Sequence, residues 1–360
     1  MSDSVVMVSP GSNVAKVLRH SWRASHYQSE VPLEQLQTAM PLLCATGSLG
    51  LIASRFTNLL PELKDEVATV FRQQAIAAML QEHSVKEIFE RMRSRGIEPV
   101  LFKGWSLARL YPDAAMRPSG DIDLWVPAGQ LEEAYRAIPT DGSQGYCVEL
   151  HTSFYSSYER SLAEVMDRSQ CVPLEGTDVR LPCPEDHLRF ICLHFLYHGG
   201  WRPLWLCDVA LMVETRREDF DWDRCLQGKR KSADWIACVI GLAHQLLGAE
   251  VSGTPVEKRA TNLPDWLLIA VLRQWGAGAG MSHAETLSFS LPRRVSQPSA
   301  LLSALREHWR NPIQASVEMN ASFSNTPRKV LQIGAAISRL PRFASAVIPE
   351  IKRARTRLVP

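Results

Sequence analysis

The feature that most constrains the fold is a segment in which acidic and apolar side chains alternate, residues 121–126 (DIDLWV). In a β-strand, residues two positions apart point to the same face and lie about 7 Å apart along the chain. One face of this strand therefore carries Asp121 and Asp123, and the other carries apolar side chains that suit a core. Two carboxylates side by side repel each other unless a cation lies between them, and Mg²⁺ takes oxygen ligands of this kind together with substrate phosphates. The alternation predicts a half-buried strand that holds a metal and a nucleotide.

Residues close to this strand favour phosphate chemistry. Lys103 and Gly104 follow a short apolar run, and they supply a cation and a position where backbone can approach a phosphate closely. Ser106 lies two residues further on, and Arg117, just before the acid pair, can neutralise phosphate oxygens. We therefore expect these four residues to bind the phosphates of a nucleoside triphosphate.

A third carboxylate, Glu149, lies in the next predicted strand, residues 146–151. Alternation places Glu149 and His151 on one face of that strand and apolar residues on the other. In two-metal sites, ions about 3.5–4 Å apart clamp the attacking and leaving oxygens of an in-line displacement. Asp121, Asp123 and Glu149 are therefore the predicted catalytic residues and ligands of two Mg²⁺ ions, with Glu149 alternatively the general base for an acceptor hydroxyl.

The pattern around these residues predicts an α+β fold. Strands alternate with short helices in an order that is read from hydrophobic spacing: a strand at 100–102, a helix at 106–110, a strand at 122–126, a helix at 130–138 and a strand at 146–151. Helical patterns precede this unit from residue 32, and a long one runs from Pro61 to Gly96. Residues 1–30, polar and rich in serine, are expected to form a loose arm.

From residue 183 the pattern is mostly helical. Helices are predicted at 184–198, 205–214, 234–247 and 263–275. A chain of 360 residues has room for about two domains. We expect an arm with helices at 1–65, an α/β domain at 66–182, a helical domain at 183–300 and a basic segment at 301–360. The site is then expected in the cleft between the two central domains.

The motifs that carry this chemistry resemble a known family. They are residues 101–104 (LFKG), Tyr111, Arg117, residues 120–124 (GDIDL) and residues 148–151 (VELH), with Glu185, Asp186, His194, His198 and Asp208 in the helical half. In this order they resemble the bacterial uncharacterised nucleotidyltransferase family, of the DNA polymerase beta-like nucleotidyltransferase superfamily, over about residues 70–250.

The resemblance implies both an architecture and a reaction. The architecture is a small mixed-sheet nucleotidyltransferase core packed against a mostly helical domain, with N-terminal helices. The reaction is a Mg²⁺-dependent transfer of a nucleoside monophosphate from a nucleoside triphosphate, and the resemblance does not assign the acceptor. We expect ATP as the donor and a hydroxyl of a small molecule, a peptide or a protein as the acceptor.

Composition bears on partners and location. A net charge of +2 gives no argument for a nucleic-acid partner. The eight cysteines include no Cys-x-x-Cys pair, which indicates reduced, mostly buried thiols. No signal-peptide pattern and no apolar run of about 18 residues occur, so we expect a cytoplasmic protein without a transmembrane helix. Residues 327–360 carry eight Lys or Arg against one acid, which fits either a solvated tail or contact with phosphate or a membrane surface.

Three further patterns have simpler interpretations than a catalytic one. Asp221 and Asp223 repeat the spacing of the acid pair but precede a helical pattern, so we expect a helix cap. His194 and His198 lie four residues apart without the glutamate of a zinc-protease helix, so packing or acceptor contacts are favoured over zinc. The glycines in 276–280 follow a helix, and a dinucleotide-binding loop would follow a strand.

Two other functional classes stay open at this point. One is a catalytically inactive nucleotide-binding module of a regulatory or antitoxin-like kind, which would bind ATP without releasing pyrophosphate. The other is a scaffold that recruits an envelope or peptide-biosynthesis partner through its N-terminal helices and basic tail. The presence of three acids favours an enzyme over an inactive module.

Overall fold

The computed structural model describes residues 9–24, 31–53, 61–138, 147–277 and 309–339. The first of these stretches contains a helix, α1 (Pro10–Leu18), so the prediction of a loose arm is wrong there. The Ser9 hydroxyl caps this helix by accepting a hydrogen bond from the Ser12 amide, and Pro10 stands in its first turn. The helix is ordered by packing, because its apolar side chains are fully buried.

The two predicted helices before the sheet are confirmed. They are α2 (Leu33–Ala45) and α3 (Pro61–Arg93), and a short 3₁₀ turn, Leu49–Ile52, follows α2. Gly47 follows the end of α2 and has a φ of 67°, a conformation that favours glycine. Gly96 has the same role after α3, with a φ of 70°.

The central sheet is mixed and has three short strands. In spatial order they are β1 (Val100–Leu101), β2 (Asp121–Trp125) and β3 (Cys147–His151). β1 runs antiparallel to β2, and β2 runs parallel to β3. A four-residue helix, α4 (Trp105–Ala108), follows β1, and α5 (Leu131–Ala137) follows β2. The predicted alternation of strands and helices is confirmed.

A second, two-stranded sheet was not predicted from the sequence. It follows α6 (Leu162–Arg168) and pairs β4 (Gln170–Leu174) with β5 (Thr177–Leu181) in an antiparallel hairpin. The turn is formed by Glu175 and Gly176, both with positive φ, which is the backbone geometry of a type I′ hairpin turn. The hairpin packs against α3 and β1.

The rest of the described chain is helical, as predicted. Its helices are α7 (Pro184–Tyr197), α8 (Pro203–Glu214), α9 (Trp222–Leu226), α10 (Arg230–Leu242), α11 (Glu257–Ala260), α12 (Asp265–Ala277) and α13 (Pro312–Glu318). A π-helical turn, Ala243–Leu247, extends α10, and residues 328–339 form a last helix. Asp221 caps α9, since its carboxylate accepts a 2.8 Å hydrogen bond from the Arg224 amide. Residues 278–280 of the glycine run and residues 340–360 of the basic segment lie outside the described residues.

Apolar side chains form a core on each face of the central sheet. Ile122, Leu124 and Val126 pack with α3, α5 and the β4–β5 hairpin on one face. Phe102 and Trp125 pack with α7 on the other face, in a core that extends through the helical half. The protein therefore has an α+β fold in which a small mixed sheet packs against helices. The boundaries expected at residues 65, 182 and 300 stay predictions.

Two further predictions from the sequence concern the burial of the cysteines and the length of the helices. All eight cysteines are free, and five of them are buried. Within the described stretches, none of the helices has both the length and the apolar character that crossing a membrane requires.

Candidate active site

The register between β2 and β3 brings acidic residues together on one face of the sheet. In this parallel pair Asp123 lies opposite Glu149, and Trp125 lies opposite His151. Residues paired in this way point to the same face, as do residues two positions apart on one strand. Asp121, Asp123, Glu149 and His151 therefore share a face, and the apolar residues between them enter the core behind it.

Three of these side chains form a compact group. The ligand atoms of Asp123, Glu149 and His151 all lie within 4.8 Å of one another. His151 Nε2 donates a hydrogen bond of 3.0 Å to Asp123 Oδ1 and lies 3.8 Å from Glu149 Oε2. The indole of Trp125 stacks on the imidazole of His151 at a centroid distance of 4.4 Å, which fixes the plane of the ring. This is a donor set of two carboxylates and one imidazole.

Lys103 reaches the same group from the end of β1. Its ammonium lies 2.9 Å from Asp123 Oδ2, and the carboxylate of Asp123 is almost fully buried. Burial by itself raises the pKa of Asp123, but the hydrogen bond from His151 and the charge of Lys103 outweigh it, so the pKa is lowered. Asp123 is therefore a carboxylate anion at neutral pH.

Glu149 has the opposite shift. Burial raises its pKa, and the negative charges of Asp123 and Asp121 raise it further. Its side chain is nevertheless about half exposed, at 52%. Glu149 thus combines access from solvent with an increased affinity for a proton.

Asp121 lies on the same face but outside the compact group. It stands at the start of β2 opposite Cys147, and its Oδ1 accepts a 3.3 Å hydrogen bond from Ser119 Oγ. Its backbone carbonyl accepts hydrogen bonds from Ser119 and from Gln81 of α3. These contacts fix the point at which the strand enters the site.

Gly104 and Ser106 shape the turn after Lys103. Gly104 has a φ of 66°, and a Cβ there would lie 2.9 Å from Gln81 Nε2, so glycine is favoured. Ser106 is fully buried, and its hydroxyl donates a hydrogen bond to the Lys103 carbonyl. The side chain of Trp105 packs in the core behind the sheet and donates a hydrogen bond to Glu82. All three residues stabilise the backbone on which Lys103 is presented.

Arg117 is engaged by a residue of the helical half. Its Nε and Nη2 donate hydrogen bonds of 3.2 and 3.0 Å to the two carboxylate oxygens of Asp208 in α8. The Tyr111 hydroxyl donates a third, of 2.9 Å, to the same carboxylate. Burial raises the pKa of Tyr111 well above 10, so this phenol stays a proton donor. The structure places Arg117 in a buried ion pair, separate from the Asp123 group.

Helices α7 and α8 contribute a cluster of rings beside the acidic residues. This cluster, the α7–α8 wall, consists of His194, His198 and Trp205. His194 and His198 of α7 lie 4.4 Å apart between ring centroids, and Trp205 of α8 contacts both rings. The two imidazoles are not part of a metal-ligating cluster among the residues that the structure describes. Tyr155 lies 3.1 Å through its hydroxyl from His194 Nδ1.

The site residue that the sequence did not single out is His151. The signal for it is in the alternation of residues 148–151, which places His151 on the face of Glu149. Its participation depends on strand pairing, because only the β2–β3 register brings it to Asp123.

Comparison with known proteins identifies the family. The sequence model of the uncharacterised nucleotidyltransferase family matches residues 45–248, more than half of the chain. This segment contains the central sheet, the Asp123 group and the α7–α8 wall. No curated protein and no solved structure matches the chain. The chain therefore belongs to the uncharacterised nucleotidyltransferase family.

Proposed function

We propose that this protein transfers a nucleoside monophosphate from a nucleoside triphosphate to a hydroxyl group of a small molecule, a peptide or a protein. The observation that carries the proposal is the compact group of Asp123, Glu149 and His151 on one sheet face, inside a nucleotidyltransferase family segment. ATP is the first donor to test, and the acceptor is to be identified by the experiment.

The residues present fit a divalent cation such as Mg²⁺. Asp123 and Glu149 offer carboxylate oxygens, and His151 would offer Nε2 once a cation displaces the proton that it donates to Asp123; all three ligand atoms are within reach of one ion. Asp121, on the same face, would supply the further carboxylate that a second ion needs. When bound, the cation neutralises phosphate charge and thereby favours attack on the phosphorus.

Glu149 is the proposed general base. Its raised pKa increases its affinity for the acceptor's proton, and its exposure allows an acceptor hydroxyl to reach it. As the proton passes to Glu149, the acceptor oxygen forms a bond to the α-phosphorus. The bond from that phosphorus to the bridging oxygen of the β-phosphate breaks, and pyrophosphate leaves with the electron pair.

Lys103 is the proposed phosphate contact on the sheet side. Its ammonium already lies against Asp123 and has further protons to donate to phosphate oxygens. Gly104 and Ser106 would act through the backbone turn that presents Lys103. For Arg117, the pairing with Asp208 supports a positioning role between the sheet and α8.

The experiment is a transfer assay with α-labelled nucleoside triphosphates, Mg²⁺ or Mn²⁺, and a cell extract as the source of acceptors. The wild-type protein should label an acceptor and release pyrophosphate. The double variant Asp121→Asn/Asp123→Asn, and separately Glu149→Gln, should lose about 100-fold or more of the rate, as removal of a general base commonly does. Asp219→Asn, in an exposed ion pair on the helical half, is the matched control and should keep full rate.

Two results would contradict the proposal. One is unchanged turnover in the Asp121/Asp123 double variant, which leaves no role for the carboxylates. The other is nucleotide binding by the wild-type protein without pyrophosphate release for any acceptor or metal, which would favour an inactive nucleotide-binding module.

A further inference from the structure

Arg202 is a positively charged residue close to the candidate site. It lies immediately before α8, and its Nε donates a 2.9 Å hydrogen bond to the carbonyl of Thr46. Among the described residues, no carboxylate forms an ion pair with it, whereas Arg117 nearby is fully paired with Asp208. A guanidinium keeps its charge in proteins and presents a planar fork of donors that matches phosphate oxygens.

The surrounding residues hold the guanidinium in place. Its Cζ lies 5.7 Å from the ring centre of Trp205. Gly47, with a positive φ, leaves space for it, because a Cβ at that position would lie 2.8 Å from Nη2 of Arg202. The Thr46 carbonyl, the glycine and the indole thus orient a charged fork that forms no ion pair with a carboxylate of the described residues.

His194 provides an independent sign of a missing ligand. Its Nε2 is buried and has no hydrogen-bond partner, while its Nδ1 lies 3.1 Å from the Tyr155 hydroxyl. Burial, reinforced by the charges of Lys103 and Arg117, lowers the pKa of His194 well below 6.5, so the ring is neutral. When Tyr155 donates to Nδ1, the ring proton is on Nε2, where it is a buried donor without an acceptor.

Arg202 and His194 both contact the side chain of Trp205. The ring of Trp205 contacts His194, at a centroid distance of 4.5 Å, and also lies under Arg202. Lys103 belongs to the same region, since its charge acts on His194 while its ammonium touches Asp123. Arg202 is near enough to Asp121 for the two charges to interact. Three donors from separate segments therefore lie beside the carboxylate face.

We propose that Arg202, His194 Nε2 and Lys103 form an anion subsite that takes the β- and γ-phosphates of a nucleoside triphosphate. The identity of the ligand rests on the proposed function, but the subsite itself is defined by His194 Nε2, which has no hydrogen-bond partner, and by Arg202, which no carboxylate of the described residues pairs. In this proposal Arg202 makes the phosphate contact that the sequence predicts for Arg117. A polyphosphate fits because it is an extended anion that can meet donors from β1, α7 and α8 together.

Calorimetric titration with sodium tripolyphosphate, at about 0.15 M salt and without divalent cations, tests the subsite. Wild-type protein should bind it, and Arg202→Gln should weaken binding about tenfold or more, the usual effect of losing a charged hydrogen-bond partner. Arg202→Lys keeps the charge without the fork and should fall between the two. His194→Phe keeps a ring without the donor and should weaken binding several-fold.

The matched control is Arg217→Gln, which removes one positive charge from an exposed ion pair with Asp219. It should leave tripolyphosphate affinity within about twofold of wild type, because isolated surface charges are screened. Thermal unfolding of every variant shows whether the fold is kept. If Arg202→Gln does not fold, Arg202→Lys and His194→Phe carry the test.

The outcomes separate the subsite from the transfer reaction. Glu149→Gln should keep tripolyphosphate binding while it loses transfer. If Arg202→Gln, or in its place the other two variants, binds tripolyphosphate as wild type does, the subsite is refuted and the transfer proposal is untouched. If binding depends on Arg202 but no acceptor is ever labelled, the subsite stands and the transfer proposal falls. Absence of any binding by folded wild-type protein also refutes the subsite.

Discussion

Replacing Asp208 by alanine should destabilise the protein strongly, because it leaves a buried charge without its counterion. The side chains of Arg117 and Asp208 are 2% and 1% exposed. Two hydrogen bonds from Arg117 and one from Tyr111 end on the same carboxylate. Because Arg117 is almost fully buried, solvent does not compensate its charge in this arrangement.

The magnitude follows from the kind of interaction that is lost. Removing one partner of a buried, hydrogen-bonded ion pair costs about 3–5 kcal/mol in free energy of unfolding. Tyr111→Phe removes only one hydrogen bond to a charged group and should cost about 1.5–3 kcal/mol. Since single domains are stable by about 5–15 kcal/mol, the Asp208 variant should still fold and be measurable.

Urea-induced unfolding, followed by fluorescence of the tryptophans, provides the measurement. The free energy of unfolding should be highest for wild type, lower for Tyr111→Phe and lowest for Asp208→Ala. The control is Asp219→Ala, which removes an acid paired with Arg217 where both side chains are mostly exposed. That surface pair should contribute no more than about 1 kcal/mol.

An Asp208→Ala variant within about 1 kcal/mol of wild type would refute the reasoning. It would mean that Arg117 is not committed to Asp208 and is available to a ligand. Tripolyphosphate titration of Arg117→Gln then gives a direct comparison with Arg202→Gln. We expect Arg117→Gln to lower mainly stability and Arg202→Gln to lower mainly binding.

Two further predictions concern the rest of the fold. Burial lowers the pKa of His187 to about 4, so the unfolded chain takes up its proton at a higher pH than the folded one. The free energy of unfolding should therefore fall by up to about 3 kcal/mol, because of this residue, as the pH drops from 6.5 to 4. Urea unfolding of His187→Gln should show a smaller decrease over the same pH range, and an equal decrease would contradict this assignment. A thiol reagent should label the three exposed cysteines of the native protein rapidly and the five buried ones only after unfolding. Mass spectrometry of labelled peptides tests this. The packing would be contradicted by rapid labelling, in the native protein, of any of Cys183, Cys192, Cys207, Cys225 and Cys238.

Local pattern was sufficient for the strands and helices that carry the candidate site, and the motifs on them resemble the family to which the chain belongs. The alternation in residues 121–126 predicts β2 and its two faces, because the side-chain period of a strand is fixed by backbone geometry. The same reasoning places Glu149 and His151 on one face of β3. Helix boundaries such as Pro184 and Asp221 follow from residues that favour helix starts.

Some elements of the fold were missed because their local signals are weak and their stability comes from packing. α1 lies in a polar, serine-rich segment, and its few apolar residues gain their stabilisation only when buried against α2 and α12. The β4–β5 hairpin consists of short strands whose pairing is completed by contact with α3 and β1.

What the sequence by itself determined is the set of residues that the candidate site brings together: two acids on β2, one acid on β3, and Lys103 after β1. Only the tertiary structure decided how these residues are combined. The parallel register of β2 and β3 brings His151 to Asp123, and α8 supplies Asp208 as the ion-pair partner of Arg117. The reason is physical: periodicity fixes the direction of a side chain, whereas a charge is paired or unpaired according to which distant residue packs against it.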